Sequence, residues 1–340
     1  MKNKIDIRRA LIIGGAGFLG KHFTDFIIKN RLIDEIYLCD INYPEWLTSE
    51  FSGLNIYFIS YDIRKVLEIS IFPRNLDLII NLAAIHREPG HLDQEFFATN
   101  LVGAENTCNF AEIVGCNNII FTSSISPYGV SESVKDESTL PIPVTAYGSS
   151  KLVSEKIHQI WQAKDSLNRR LVIVRPGVVF GPGEGGNVSR LIKAVLNRYF
   201  FYMGNKGTRK AGIYVKELCN AIWWVFKQQE INGENVSLFN MSMNPGPSIQ
   251  EYVNAVCSVA KVKRFVPSIP YEFLIGVAYG IDFFAKLLRI KHPFSPVRIR
   301  KLVRSNNILP TYLLEHGYHY QFTLESALAD WKKECPEEWR

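Results

Sequence analysis

Cysteine is sparse, and it carries no metal pattern. The 340 residues include six cysteines, at 39, 108, 116, 219, 257 and 335. None forms a CxxC pair or another ligand spacing, so no metal site is expected. Several lie in apolar runs, as buried thiols do, which fits a reducing, cytoplasmic setting. Repeats and low-complexity tracts are also absent. No motif for nucleic-acid binding appears, and the net charge is only +6. The basic residues are scattered, apart from the Arg169-Arg170 pair and Arg298-Ile299-Arg300-Lys301 with Arg304. This balance suits a small anionic ligand at least as well as nucleic acid. Nor does any apolar run read as a transmembrane helix. Residues 271–288 come nearest, but Glu272, Asp282 and Lys286 interrupt them. A packed amphipathic helix beside a substrate cleft is expected there, with weak membrane-surface contact as the alternative. Lys2, Lys4, Arg8 and Arg9 precede an apolar run, as in a signal peptide. That run holds four glycines better explained by a nucleotide turn, so secretion is not expected.

What is present is globular: 47% hydrophobic and 21% charged residues, in one large domain or two interleaved ones. Residues 9–13 read as a short apolar strand. Gly14-Gly15-Ala16-Gly17-Phe18-Leu19-Gly20 follows, then a helical pattern through Phe23, Phe26 and Ile27. Strand, glycine turn and helix in this order form a dinucleotide fingerprint. Glycine permits the tight turn and close approach to a pyrophosphate, which the helix N-terminus then faces. Asp40 ends a second apolar run, at the distance expected for a carboxylate on the adenosine ribose. Such a carboxylate repels a 2′-phosphate, and no Arg or Lys follows closely, so NAD is expected over NADP.

Further strands are expected at 56–59, 77–81, 118–121 and 171–174. They alternate with a helix through Phe97, Leu101, Ala104, Cys108 and Ala111, and with one bearing Tyr147. Near-continuous apolar strands alternating with helices predict an α/β fold, a doubly wound parallel sheet covered on both faces. Beyond Arg175-Pro176 the rhythm loosens into a glycine-rich loop at 181–186. A helix through Leu191, Ala194 and Val195 comes next, then another at 215–226 whose Trp223 and Trp224 read as core. The expected division is a Rossmann domain over 1–180, to which 210–242 returns. Residues 181–209 and 243–340 then form a smaller substrate-binding α/β lobe.

Tyr147 and Lys151 stand four positions apart, on one face if the segment is helical. A neighbouring ammonium stabilises a phenolate. Bringing a phenol from a pKa near 10 to neutrality takes about three units, roughly 4 kcal/mol. The YxxxK spacing alone is weak, and its context strengthens it. GGAGFLG, Asp40, Tyr61-Asp62-Ile63, Asn81-Leu82-Ala83-Ala84, Thr99-Asn100, Thr122-Ser123-Ser124 and Tyr128-Gly129 precede or surround it. Arg175-Pro176 and Gly181-Pro182-Gly183 follow. In this order the motifs resemble the extended short-chain dehydrogenase/reductases, specifically the NAD-dependent epimerase/dehydratase group that acts on nucleotide sugars.

The resemblance implies roles for particular residues. Ser124 would hydrogen-bond the reacting oxygen, Tyr147 would be the acid/base, and Lys151 would bind the nicotinamide ribose and lower the Tyr pKa. Gly14, Gly17, Phe18, Leu19, Gly20 and Asp40 would hold the adenosine diphosphate part of NAD. Asp62 and Ile63 would contact adenine. Leu82, Ala83, Ala84, Ser123 and Pro176 would line the cofactor path, and Asn100 would organise an active-site water. For the substrate, Asn187 and either Arg209 or Lys210 would contact the nucleotide diphosphate. Arg298, Arg300 and Arg304 are candidates for a second phosphate contact, with a solvated basic face as the alternative. His86 stands where substrate could pass, with a purely structural role as the alternative.

Within this family, accessory residues select the reaction. The 4,6-dehydratases carry Asp-Glu directly after the catalytic Thr, the UDP-glucuronate decarboxylases keep a Glu at the second position, and the GDP-fucose synthases place a Cys at the first. Ile125 and Ser126 occupy these positions here, so chemistry at a single carbon is implied. A UDP-hexose 4-epimerase with retained NAD is the leading expectation. A 4-keto-sugar reductase or dehydrogenase, or a 3β-hydroxysteroid dehydrogenase-like enzyme, is the alternative. The family also implies a homodimer built from the helix before the fifth strand and the Tyr-bearing helix.

Overall fold

The structure is a computed structural model that describes residues 7–47, 54–87, 90–129, 131–288 and 304–340. Arg298 and Arg300 lie outside the described residues. The strands are β1 (Arg9–Ile13), β2 (Glu35–Asp40), β3 (Ile56–Ser60), β4 (Leu78–Asn81), β5 (Asn118–Thr122), β6 (Ser131–Lys135) and β7 (Arg170–Pro176). Then come β8 (Val178–Phe180), β9 (Tyr202–Met203), β10 (Gly212–Tyr214), β11 (Val236–Met241), β12 (Ser268–Ile269) and β13 (Asn306–Ile308). The principal helices are α1 (Phe18–Lys29), α2 (Asp93–Phe96), α3 (Val102–Val114) and α4 (Ala146–Ala163). They continue with α5 (Asn187–Leu196), α6 (Val215–Asn232), α7 (Ile249–Ala260) and α8 (Tyr271–Leu288).

Seven strands form one parallel sheet in the order β11-β7-β5-β4-β1-β2-β3. Side chains alternate between its faces, and both faces are covered. Ala10 and Ile12 of β1 point into a core shared with Phe23 and Ile27 of α1 and Leu218, Ile222 and Phe226 of α6. Leu11 and Ile13 point the other way, toward Phe110 and Ala111 of α3 and Trp161 of α4. This is the doubly wound sheet the alternation predicts, with one strand more. The seventh, β11, pairs with β7 from Val236↔Leu171 to Met241↔Pro176.

The order reverses between β1 and β4. From β1 the chain runs outward through β2 and β3, then crosses back to add β4 on the opposite side. Such a switch opens a crevice beyond the carboxyl ends of the strands, where ligands bind in open α/β sheets. Three two-stranded parallel ladders, β8 with β10, β9 with β12, and β6 with β13, sit outside the main sheet. The C-terminal segment is tied to α6 by buried acid: Glu217 accepts from the amides of Gln321 (2.9 Å) and Phe322 (2.8 Å) and from the Tyr318 hydroxyl.

Two expectations are revised. The helix expected through Phe97 and Ala111 is broken: α2 leads into a π-helical segment, Phe97–Leu101, before α3 resumes. Residues 271–288 do form a helix, but the structure does not bury it throughout. Phe273, Val277 and Tyr279 are exposed.

Candidate active site

The glycine turn meets the sheet at the β1/β4 switch. Gly14 has φ +80°, and a β-carbon on it would stand 2.7 Å from the Ala83 nitrogen and 2.9 Å from the Leu82 carbonyl carbon. Gly20 is just as confined, since its β-carbon would meet the Gly15 oxygen at 2.4 Å. Gly17 differs. Its nearest obstacle is the Gly14 oxygen at 3.4 Å, and its φ of −72° is ordinary. It is also the N-cap of α1 and makes no side-chain cap. Gly14 and Gly20 are therefore required by the protein itself. Gly17 leaves open the space above an uncapped helix N-terminus, beside Phe18 and Leu19, as a bound pyrophosphate needs.

Asp40 closes the other side of the turn. One of its oxygens accepts from the Ala16 amide at 3.1 Å and the other from the Ile41 amide at 2.8 Å. Further along, exposed Arg64 grips Asp62 through both carboxylate oxygens, with contacts of 2.6–3.0 Å, and holds its carboxyl below the usual range. Ile63 is buried, and its carbonyl accepts from Asn106 at 2.8 Å. The segment expected at adenine is thus fixed by side chains that sequence reading did not single out.

Helix α4 starts where Thr145 caps it, its hydroxyl accepting from the Gly148 amide at 3.1 Å. Tyr147 falls in the first turn and Lys151 in the second. A β-carbon on Gly148 would lie 2.7 Å from the Ser126 oxygen, so the Tyr-bearing turn rests directly on the loop that carries Ser124. Ser124 Oγ accepts from the Ser126 amide at 3.1 Å and donates to Ser126 Oγ at 3.1 Å. The ring of Tyr147 lies 6.0 Å from that of Phe96. The structure therefore places Ser124, Tyr147 and Lys151 on adjoining elements beyond the carboxyl ends of β5 and β7.

Lys151 is 3% exposed, and its ammonium lies 4.5 Å from the centre of the Phe121 ring. Among the described residues it makes no hydrogen bond. Burial pushes its pKa down to about 7, against the opposing charge of Glu155 one turn further on. A buried lysine whose ammonium meets no acceptor among the described residues has room for one. The hydroxyls of a nicotinamide ribose would supply one. Together with the open space over Gly17 and the carboxylate of Asp40, the residues present fit NAD.

Behind Lys151 lies a charge network. Glu155 accepts from Arg175 Nε at 2.8 Å and Nη2 at 2.6 Å, and from Ser123 Oγ at 2.5 Å. The guanidinium of Arg175 also sits 4.7 Å from the centre of the Tyr128 ring. Ser123, expected at the cofactor, has its hydroxyl committed inward to Glu155. Pro176 accepts from the Ile125 amide at 3.1 Å, so β7 holds the Ser124 loop in place. Sequence reading missed Glu155, although its signal was present: it continues the four-residue step from Tyr147 through Lys151.

Asn100 sits in the π-helical segment, buried. It accepts from the Ile85 amide at 3.0 Å and donates to the Ile85 carbonyl at 3.2 Å and to Ser150 Oγ at 2.9 Å. Its amide thus ties the strand end after Ala84 to α4. The side chain expected to organise an active-site water is thus itself positioned by Ile85 and Ser150. His86 is exposed on the loop beyond that clamp.

The expected substrate residues are more dispersed. Asn187 begins α5, is exposed and accepts from Arg190 at 2.8 Å. Arg209 donates to the Gly246 carbonyl at 2.5 Å, and Lys210 to the Arg304 carbonyl at 2.5 Å. Burial lowers the Lys210 pKa to about 8. Both basic side chains are thus held by main-chain carbonyls.

Comparison with known proteins agrees with this geometry. A sequence profile of the NAD dependent epimerase/dehydratase family matches residues 10–240. An Escherichia coli O157:H7 protein, N-acetyl-alpha-D-glucosaminyl-diphospho-ditrans,octacis-undecaprenol 4-epimerase, is 27% identical over 94% of this chain and 92% of its own. A sterol-4-alpha-carboxylate 3-dehydrogenase of Candida albicans is 25% identical over 96% and 98%. Among solved structures, a UDP-glucose 4-epimerase of Thermotoga maritima, crystallised with UDP-glucose, superposes with a TM-score of 0.71 at 18% identity. That superposition covers 98% of this chain and all of the other. The profile spans the glycine turn, Asp40, Ser124, Tyr147, Lys151 and β7, the same parts that the fold gathers at the sheet's carboxyl end, and the chain belongs to the NAD dependent epimerase/dehydratase family.

Proposed function

We propose that the chain epimerises a diphosphate-linked sugar at C4 through a transient 4-keto sugar, with UDP-sugars as the first candidate substrates. One observation carries this reading. Ser124, Tyr147 and Lys151 adjoin at the sheet's carboxyl end, while Ile125 and Ser126 put no acid beside them. Bound NAD supplies the hydride acceptor and donor. The Tyr147 phenolate takes the C4 hydroxyl proton and later returns it. Ser124 donates to the C4 oxygen as charge develops there. Lys151 favours the phenolate and holds the ribose hydroxyls. Asp40 accepts from the adenosine ribose, and the amides of Phe18 and Leu19, in the first turn of α1, face the pyrophosphate. Asn187 with Arg209 or Lys210 reaches the diphosphate of the substrate, and His86 borders its path.

The supporting frame is a Rossmann domain of residues 1–180 and 210–242, with a substrate lobe of 181–209 and 243–340. A cytoplasmic homodimer packed through α3 and α4 completes the reading. Its support is the row of exposed apolar side chains there: Ile113, Val153 and Ile160.

A second reading concerns what carries the sugar. The E. coli relative is named for a diphospho-undecaprenol carrier, so a lipid-linked sugar diphosphate is the other candidate substrate. Purified protein incubated with UDP-sugars and no added cofactor tests the first reading. Conversion to the C4 epimer supports it, whereas turnover only with NAD(P)H and a keto-sugar overturns it in favour of a reductase. Parallel incubation with a polyprenyl-diphospho-N-acetylhexosamine separates the two carriers. Tyr147→Phe is expected to abolish turnover on either while leaving NAD bound.

A further inference from the structure

Helix α8 presents an apolar stripe to solvent. Phe273 is 63% exposed and Val277 43%, and Gly276 and Gly280 are exposed on the same face at helical spacing. A β-carbon on Gly276 or Gly280 would meet nothing within 4 Å. Tyr279, 51% exposed, flanks the stripe, while Ala278 is turned inward and buried. Phe265, on the segment leading into this helix, is 92% exposed between Arg264 and a short strand. Apolar residues clustered on one helix face and left in water mark an interaction surface.

Charge indicates what covers it. Residues 261–304 hold ten of the chain's 39 basic residues and only two of its 33 acidic ones. The stretch therefore carries +8, and the rest of the chain is at −2. Lys261 and Lys263 precede the helix and are exposed, as is Arg304 beyond it. Glu272 lies in the first turn, where a negative charge complements the helix N-terminus. No helix among the described residues is long and apolar enough to cross a membrane. An apolar face on a helix that does not span, within a stretch of sequence this basic, has the chemistry of a segment lying in an anionic lipid interface.

We propose that the Phe273–Gly280 face of α8 docks the enzyme on an anionic bilayer surface. Phe273 and Val277 enter the headgroup boundary, and exposed basic residues such as Lys261, Lys263 and Arg304 pair with lipid phosphates. The inference holds for either sugar carrier, since it concerns the surface and not the site.

The test is co-sedimentation of the full chain with vesicles, without any sugar. Vesicles of phosphatidylglycerol and phosphatidylethanolamine are expected to bind it. Binding should weaken steeply between low and physiological salt and be lost on pure phosphatidylcholine. Phe273→Glu with Val277→Glu is expected to weaken partitioning about tenfold or more, with the circular dichroism spectrum and the turnover of a soluble sugar unchanged. Wild-type protein that stays in the supernatant with anionic vesicles overturns the proposal, as does a double variant that binds equally well. So does a double variant of smaller assembled mass by light scattering, because a second copy of the chain would then be what covers the face. Vesicle binding without any epimerisation sinks the proposed reaction and leaves the docking surface standing.

Discussion

Lys151 is held in a state that is expensive to fold. Its side chain is buried, its ammonium rests on an aromatic face, and it finds no hydrogen-bond acceptor among the described residues. Burial takes its pKa from 10.5 to about 7, which opposes folding by roughly 5 kcal/mol in water at neutral pH. Because the folded pKa lies below the unfolded one, that penalty is complete below about pH 7. It fades as pH rises toward 10.5, where the unfolded side chain also loses its proton. Lys151→Met is therefore expected to be more stable than wild type at pH 7, by about 2–4 kcal/mol. The gap should narrow by pH 9.5. Urea unfolding of both proteins at the two pH values measures it, and a pH-independent gap would show that the lysine is not buried as a strained cation. The same substitution is expected to weaken NAD binding, so the site holds its ammonium at the expense of stability.

Glu155 belongs to the same residue-scale arrangement. Its two oxygens are taken by Arg175 and Ser123, so Glu155→Gln would leave a buried guanidinium without its counter-charge. Such a loss costs about 3–5 kcal/mol. It also removes the negative charge that opposes the fall in the Lys151 pKa. The expected result is a lowered unfolding midpoint together with an altered acid limb of the turnover–pH profile. A lowered midpoint with an unchanged profile would leave Glu155 a purely structural residue.

At the scale of elements, the glycine turn shows how far sequence reading reached. The pattern at 14, 17 and 20 marks the turn, but it does not say that the three glycines answer different demands. Gly14 and Gly20 are confined by backbone of the protein itself, whereas Gly17 is confined by nothing close. Gly20→Ala is thus expected to destabilise the fold, by about 2 kcal/mol or more, through overpacking. Gly17→Ala should keep the unfolding midpoint within about 0.5 kcal/mol of wild type and lose NAD affinity at least tenfold. Fluorescence titration with NADH beside thermal unfolding separates the two; equal losses of affinity and stability at Gly17 would contradict the assignment. The break at Phe97–Leu101 was not legible. Apolar spacing there is compatible with a continuous helix, whereas the π-turn carries Asn100 between Ile85 and Ser150, tertiary contacts that spacing does not encode. The short ladders outside the main sheet, two or three residues long in most strands, carry too little periodicity to be seen at all.

For the whole molecule, the parallel sheet and its nucleotide edge follow from local pattern, because apolar runs buried on both faces admit few other arrangements. The order of strands adds what pattern cannot: β4 lies beside β1, so the glycine turn, the Asn81–Ala84 strand end and the Tyr147 helix converge on one crevice. Assembly is the remaining level. Helices α3 and α4 pack side by side on one face of the sheet, and Ile113 on the first and Val153 and Ile160 on the second stay exposed. Three aliphatic side chains in water on adjacent helices form a patch that a second copy related by a two-fold axis would cover, each chain burying the other's patch. Val153→Glu with Ile160→Glu is expected to halve the mass measured by light scattering at micromolar concentration, because facing carboxylates would be desolvated across the axis. Both positions point away from the cofactor crevice, so NAD binding should persist in the smaller species. An unchanged mass would leave the patch to another partner, and a monomeric wild type would remove the dimer from the reading while leaving the active-site assignment intact.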